Sequence, residues 1–422
     1  MKHFVQFLEK YLSTPMSKLA AQRHFMAIRD GVVSAIPFIM IGSVFLILAS
    51  PPFPEGNAIR EWLLQYSAQI ILPFRVTMFV MSFYVAFGIG HSLAKSYELD
   101  TLTGGVLAFA ALLMTSFPVV VEDYGWVLPL ADFGGAGLFV TMVVSVFAVE
   151  LFRFCVKHNI TVKMPEQVPE GVSRSFAAIF PAALLILIMG LVTVVLEIDL
   201  HRIMIQLVSP LTIAGDSLPG VLMLIFLITF FWAFGIHGIA VVGSIARPFW
   251  LMYSEANVAA AAAGEALPHV APETFYQWFV WIGGAGATLG LLLASLIVAR
   301  SQYLKTISRA SFIPGLFNIN EPVIFGMPVV LNPMLIIPFM LAPIVLAVIS
   351  YVVTVIGWVT PTSVIAPWTL PAPIGGLISA GGDWMAVVLI LVNIGIATLI
   401  YLPFVKLYDK KLLREEQGEQ VA

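Results

Sequence analysis

Apolar residues occur along this chain in long blocks rather than as amphipathic stripes. Runs with few or no charges occupy about residues 31–50, 70–90, 102–121, 134–152 and 176–196. After a polar interval around Asp199, His201 and Arg202, apolar character returns over 218–253, 277–299, 333–357 and 386–405. About 20 helical residues cross a hydrocarbon core about 30 Å thick. The pattern predicts an all-α polytopic membrane protein that crosses the bilayer repeatedly.

The placement of positive charge orients those crossings. Lys10, Lys18, Arg23 and Arg29 precede the first block, and Arg153, Lys157, Lys163 and Arg174 follow the fourth. Excess Lys and Arg marks cytoplasmic loops, so both regions are placed inside. Residues 255–275 carry Glu255, Glu265 and Glu273 without Lys or Arg, whereas 300–309 carry Arg300, Lys305 and Arg309. The first stretch is therefore placed outside and the second inside. Block 218–253 must then leave and re-enter the same side, and the glycine-flanked Gly235-Ile-His237-Gly238 is the candidate turn. Segment 310–328 must likewise begin and end inside, as a re-entrant hairpin. With Lys406, Lys410, Lys411 and Arg414 in the tail, about ten transmembrane helices with both termini cytoplasmic is the simplest count. The N-terminal MKHFVQFLEKYL spaces Phe4, Val5, Phe7, Leu8, Tyr11 and Leu12 as an amphipathic helix, read as lying on the cytoplasmic face.

Composition agrees with this reading: 60% of the residues are hydrophobic and 11% charged, against about 45–50% and 25% in soluble domains. A net charge of −3 with dispersed basic residues offers no stripe for a nucleic-acid backbone, so nucleic acid is excluded as a partner. The one cysteine, Cys155, allows neither an internal disulfide nor a thiolate metal site and reads as a membrane-interface residue. No P-loop, HExxH, CxxC or nucleotide fingerprint occurs. No metal or cofactor is expected, and the chain has no energy-coupling site of its own.

Irregular backbone at membrane depth persists only where protein covers it or where it lines a wet cavity. Segment 310–328, ASFIPGLFNINEPVIFGMP, holds Asn318, Asn320 and one ionisable residue, Glu321, followed by Pro322. A carboxylate in an apolar segment costs about 2.5 kcal/mol or more on insertion scales, which makes Glu321 a functional candidate; the bland alternative is that it ties the hairpin together. His237 is either a ligand or a hydrogen-bonded packing residue. Trp232 and Trp368 could stack on a sugar face or anchor at the interface, and Arg75 is read as snorkelling to the surface. Gly134-Gly135 and Gly283-Gly284-Ala285-Gly286 are read as close-packing sites.

Several stretches, in order, carry a resemblance: RHFMAIRDG, VPEGVSRSFAAIFP, FFWAFGIHG, GGAGATLG, FNINEPVIFGMPVVLNP, APWTLPAPIGG and NIGIATLIYLPF. Through them almost the whole chain resembles the lactose/cellobiose/diacetylchitobiose group of phosphotransferase-system (PTS) enzyme IIC proteins. The resemblance implies a bacterial inner-membrane homodimer with ten transmembrane helices and two re-entrant hairpins per protomer, placed near 254–276 and 310–328. It implies a cytoplasmic segment 1–28, a scaffold and dimerisation domain 29–200, a sugar-binding transport domain 201–405 and a cytoplasmic tail 406–422. In such proteins the GIHG histidine and NEP glutamate approach the sugar 6-hydroxyl, which carries over to His237 and Glu321, with Asn320 and Trp368 at neighbouring binding positions. A β-linked disaccharide is the implied substrate, with separate IIB and IIA subunits as partners and IIB donating the phosphoryl group from a phosphocysteine. Ion-coupled sugar transport, with Glu321 as a proton site, and a non-transporting sugar sensor are the rival readings.

Overall fold

Helices take up most of the apolar blocks, and their ends fall where the sequence supplies a cap or a residue that cannot continue a helix. The computed structural model describes residues 22–49, 51, 56–162, 165, 168, 176–327, 329–330 and 332–417. The amphipathic segment expected over 1–12, together with Lys163 and Arg174, lies outside the described residues. Five described helices are long and apolar enough to cross a membrane: Arg23–Ala49, Ser67–Ser96, Gly135–Lys157, Met334–Val355 and Trp384–Glu416. Ile179–Val195 and Leu200–Asp216, bent by 81° at the polar interval, could form a sixth span. Three shorter apolar helices accompany them, and the chain is a predominantly helical membrane protein.

Two blocks hold less helix than their apolar length suggests. Over 102–121 the helix ends at Leu113, and the chain turns into a two-stranded hairpin, Val119–Val121 (β1) against Gly125–Val127 (β2). Pro118 cannot continue a helix, and the valine run suits a strand. Over 277–299 helix proper occupies Thr288–Val298, because Gly283, Gly284 and Gly286 adopt positive φ just before it and interrupt the ladder.

The described residues divide into two compact units. The first comprises those within 15–42 and 72–212, with most of α1 (Arg23–Ala49), then α2 (Met81–Ser96), α3 (Thr101–Leu113), α4 (Leu138–Lys157), α5 (Ile179–Gly190) and most of α6 (Leu200–Asp216). Asp100 starts α3 by accepting the Thr103 N–H at 2.7 Å, as an N-cap does. Helices α2 and α3 cross at glycine, where a Cβ on Gly90 would lie 2.3 Å from the Gly104 carbonyl oxygen. Close approach of this kind replaces the hydrophobic drive that lipid does not supply. Leu107, Leu112, Phe133, Val144, Phe152 and Leu185 fill the core between α2 and α5.

The second unit comprises described residues within 43–71 and 213–422. It holds α7 (Leu218–Ala233), α8 (Gly238–Ala263), α9 (Thr288–Val298), α10 (Gln302–Leu316), α11 (Glu321–Gly326), α12 (Pro333–Val355), α13 (Ala372–Ser379) and α14 (Trp384–Glu416). Helix α14 threads its core: Gly290 of α9 admits Ala397 so closely that an added Cβ would lie 2.6 Å away. Asn393 donates to the Phe279 carbonyl and Ser350 Oγ, both at 2.9 Å. Lower on α14 the buried Asp409 accepts the Arg300 and Ser301 N–H groups and the Ser301 hydroxyl at 2.8–3.0 Å, satisfying donors at the start of α10. Of the expected hairpin regions, 254–276 contains the helical alanine run 259–263, a left-handed Gly264 that ends α8, and the short helix Glu273–Phe275. Within 310–327 the chain breaks between α10 and α11, and the Tyr303 hydroxyl of α10 donates to the Gly326 carbonyl at 2.6 Å.

Candidate functional site

Two broken helices of the second unit bring the candidate residues forward. The first break lies between α7 and α8. Gly235 there has φ +76°, and α8 returns so close to α7 that a Cβ on Gly238 would lie 2.0 Å from the Ile228 carbonyl oxygen. His237 is the N-cap of α8, and its Nδ1 accepts the Ala240 N–H at 3.2 Å. An accepting Nδ1 places the proton of the neutral ring on Nε2, leaving that nitrogen as a donor. The ring is exposed and lies against Trp232, with centroids 4.5 Å apart.

The second break, residues 317–320, separates α10 from α11. Asn318 turns the chain at φ +63°, a left-handed conformation that asparagine tolerates better than most residues. Its Oδ1 accepts the Gly283 N–H at 3.0 Å, and its Nδ2 donates to the Trp368 and Leu370 carbonyls at 2.8 and 2.9 Å. Asn320 donates to the Ala285 carbonyl at 2.8 Å and presses on Gly284, where an added Cβ would lie 2.5 Å from the Asn320 Cγ. Two buried asparagines thus stitch the break to the glycine loop 283–286 and to the turn at 368–370.

Glu321 opens α11, with Pro322 in the first turn where its missing N–H costs nothing. Its side chain is exposed, and among the described residues no side-chain hydrogen bond or ion pair engages it. The tying role considered for this carboxylate is performed by Asn318 and Asn320. Phe325 lies one turn along α11 on the face of Glu321, and its ring sits 6.4 Å from that of Trp232, the same ring that backs His237. Gly235 also abuts this segment, since a Cβ there would lie 3.3 Å from Val330. The first break therefore adjoins α11, the helix that Glu321 opens, and the residues that follow it.

The two tryptophans separate in role. Trp232 is buried at 3% exposure and walls His237, whereas Trp368 is 51% exposed and held through its carbonyl by Asn318. Arg75 is exposed on a short helix of the first unit, and Cys155 is buried and free. Sequence reasoning missed Asn318 as the organiser of the site; its visible signal was an asparagine at a helix break. It also missed the pairing of Arg247 Nη2 with Glu273 at 2.7 Å, signalled by Arg247 as the sole Asp, Glu, Lys or Arg between 217 and 254. Chemically, a carboxylate without a protein partner, an imidazole backed by Trp232 and an exposed indole can orient a hydroxyl-rich ligand and accept a proton from it.

The family described as "Phosphotransferase system, EIIC" matches residues 29–343. A cellobiose-specific PTS EIIC component of Geobacillus stearothermophilus is 37% identical over 99% of this chain and 97% of its own length. A lactose-specific PTS EIICB component of Lacticaseibacillus casei is 32% identical, covering 95% of this chain and 70% of its own. The crystal structure of the transporter ChbC, the IIC component of the N,N'-diacetylchitobiose-specific phosphotransferase system, superposes with a TM-score of 0.92 at 37% identity. That match covers 98% of this chain and 100% of ChbC.

Proposed function

The chain belongs to the EIIC family of the phosphotransferase system, and from that premise we propose that it imports a β-linked disaccharide of the cellobiose or diacetylchitobiose kind, which is phosphorylated at its 6-hydroxyl as it enters. EIIC components are membrane sugar permeases that work with IIB and IIA partners. The observation that carries the reading is the free carboxylate of Glu321, at a helix break and at the start of the helix whose Phe325 faces Trp232, the ring that backs His237. An unpaired carboxylate among apolar blocks is costly, and a role in ligand binding gives a reason to keep it.

In the proposed reaction Glu321 accepts the proton of the sugar 6-hydroxyl while the Nε2–H of His237 holds the same oxygen. The phosphoryl group moves from the IIB cysteine sulfur, breaking an S–P bond and forming an O–P bond. Such transfers rest on positioning and electrostatics. Asn320 keeps the break in shape, and Trp368 offers an apolar ring face. The protein works as an inner-membrane homodimer with ten crossings per protomer and both termini cytoplasmic, in which 201–405 carries the sugar against a scaffold of 29–200.

The test uses inverted membrane vesicles supplied with phosphoenolpyruvate, the general phosphotransferase proteins, cognate IIA and IIB, and a panel of labelled β-disaccharides. Sugar 6-phosphate that disappears in Glu321→Gln and His237→Ala supports the assignment and names the substrate. Sugar taken up unmodified and lost on addition of an uncoupler would instead identify ion-coupled transport.

A further inference from the structure

The first unit contains a groove that the reading above does not use. One part is a cavity of about 790 Å³ lined by Arg23, His24, Lys95, Tyr97 and Arg153 among others. A second cavity, of about 840 Å³, shares Asp30, Ser92 and Lys95 with the first, but Phe38, Phe83, Phe87 and Phe109 stand in its wall. Shared lining makes them one groove with a cationic head and an aromatic body.

The head is short of negative charge. Glu150 is occupied, accepting from the Tyr97 hydroxyl, bonded to His24 Nε2 at 2.9 Å and paired with Arg153 at 3.1 Å. The Arg23 and Arg153 guanidinium groups lie over the Tyr97 ring, 4.6 and 4.1 Å from its centroid, which holds them in place. Among the described residues no carboxylate pairs with Arg23 or Lys95. Asp30, at the seam, is held by Arg29 at 2.9 Å and by the Ser92 hydroxyl at 2.9 Å. Arg23 begins α1, Lys95 lies in the last turn of α2 and Arg153 near the end of α4. Basic residues thus gather where these helices end, while the phenylalanines stand further along α1, α2 and α3.

We propose that this groove binds one anionic phospholipid, its phosphate on Arg23, Lys95 and Arg153 and an acyl chain along Phe38, Phe83 and Phe87. Charge complementarity selects the headgroup, and the aromatic wall distinguishes a lipid from a free anion. The proposal does not depend on the chemistry at Glu321.

The test is lipid titration of the full-length protein in detergent, read by native mass spectrometry and by thermal melting. Phosphatidylglycerol is expected to bind and raise Tm, whereas phosphatidylcholine and millimolar inorganic phosphate leave Tm unchanged. Lys95→Gln removes no described ion pair and should weaken phosphatidylglycerol binding about fivefold, near the contribution of one basic residue at an anionic headgroup. Arg23→Gln/Arg153→Gln should abolish the preference over phosphatidylcholine, and Lys at both positions should restore part of it. Equal binding of the two lipids, a Tm rise reproduced by inorganic phosphate alone, or an unaltered Lys95→Gln protein would overturn the proposal. So would a Phe38→Asn protein that becomes monomeric while binding phosphatidylglycerol normally, because the groove would then be the seat of a second copy.

Discussion

The two helix breaks of the second unit turn the chain by different means. Between α7 and α8 the turn rests on Gly235 at positive φ and on His237, which caps the helix it begins; the tie is local, spanning three residues. Between α10 and α11 the turn rests on Asn318 and Asn320, whose partners lie 35 to 52 positions away. A locally capped turn can move as a piece with its helix. A turn stitched to two other segments must carry them with it. The difference teaches that the His237 turn is held by a local cap and by packing on α7, whereas the Glu321 turn is held by long-range hydrogen bonds to which the Glu321 side chain contributes none.

The strongest way to break this comparison is Glu321→Gln. If the carboxylate is the base and the asparagines are the anchor, sugar phosphorylation should fall by about 10²- to 10⁴-fold, the usual worth of a positioned proton acceptor. The melting temperature should stay at the wild-type value, since no described bond is lost. A fall in both would return Glu321 to a structural role.

Asn318→Ala attacks the anchor. It removes three hydrogen bonds to backbone groups, where one buried polar group left unpaired costs about 1–3 kcal/mol, and it puts a residue that tolerates left-handed backbone poorly at φ +63°. Net destabilisation of about 3 kcal/mol is expected, read as a lower melting temperature in detergent, with loss of activity following loss of fold. Asn318→Gly relieves the backbone strain alone, so recovery of only part of the stability would sharpen the assignment to hydrogen bonding.

Smaller effects should separate the two tryptophans. Trp368→Ala is expected to weaken sugar binding about two- to tenfold, the scale of one aromatic contact, without lowering the melting temperature, because its tie to Asn318 runs through the backbone carbonyl. Binding by isothermal titration checks it. Gly235→Ala tests the other break, where positive φ costs about 1–2 kcal/mol and the nearest side chain, Val330, leaves an added Cβ at 3.3 Å. Because this turn is tied locally, the loss should appear as weaker sugar binding rather than as unfolding of the unit. A melting shift as large as that of Asn318→Ala would show the two breaks to be equally anchored.

The sequence by itself determined that this is a helical membrane protein, because uncharged blocks of about 20 residues have no better solvent than lipid. It also determined the family, through motifs that are read in order without knowing what they touch, and it located both breaks, because glycines such as Gly235 and Gly238 free the backbone to turn and Pro322 withholds a helical donor wherever they stand. It overestimated helix over 102–121 and 277–299, since apolarity measures preference for lipid and not the conformation adopted there. Only the tertiary structure decided that Asn318 and Asn320, rather than Glu321, hold the second break. It alone decided that Trp368 and not Trp232 is exposed, and that Glu273, read from its neighbours as part of an external acidic stretch, pairs with Arg247. In each case the deciding fact is which distant backbone or side chain comes within packing or hydrogen-bond reach, and sequence spacing carries no record of that distance.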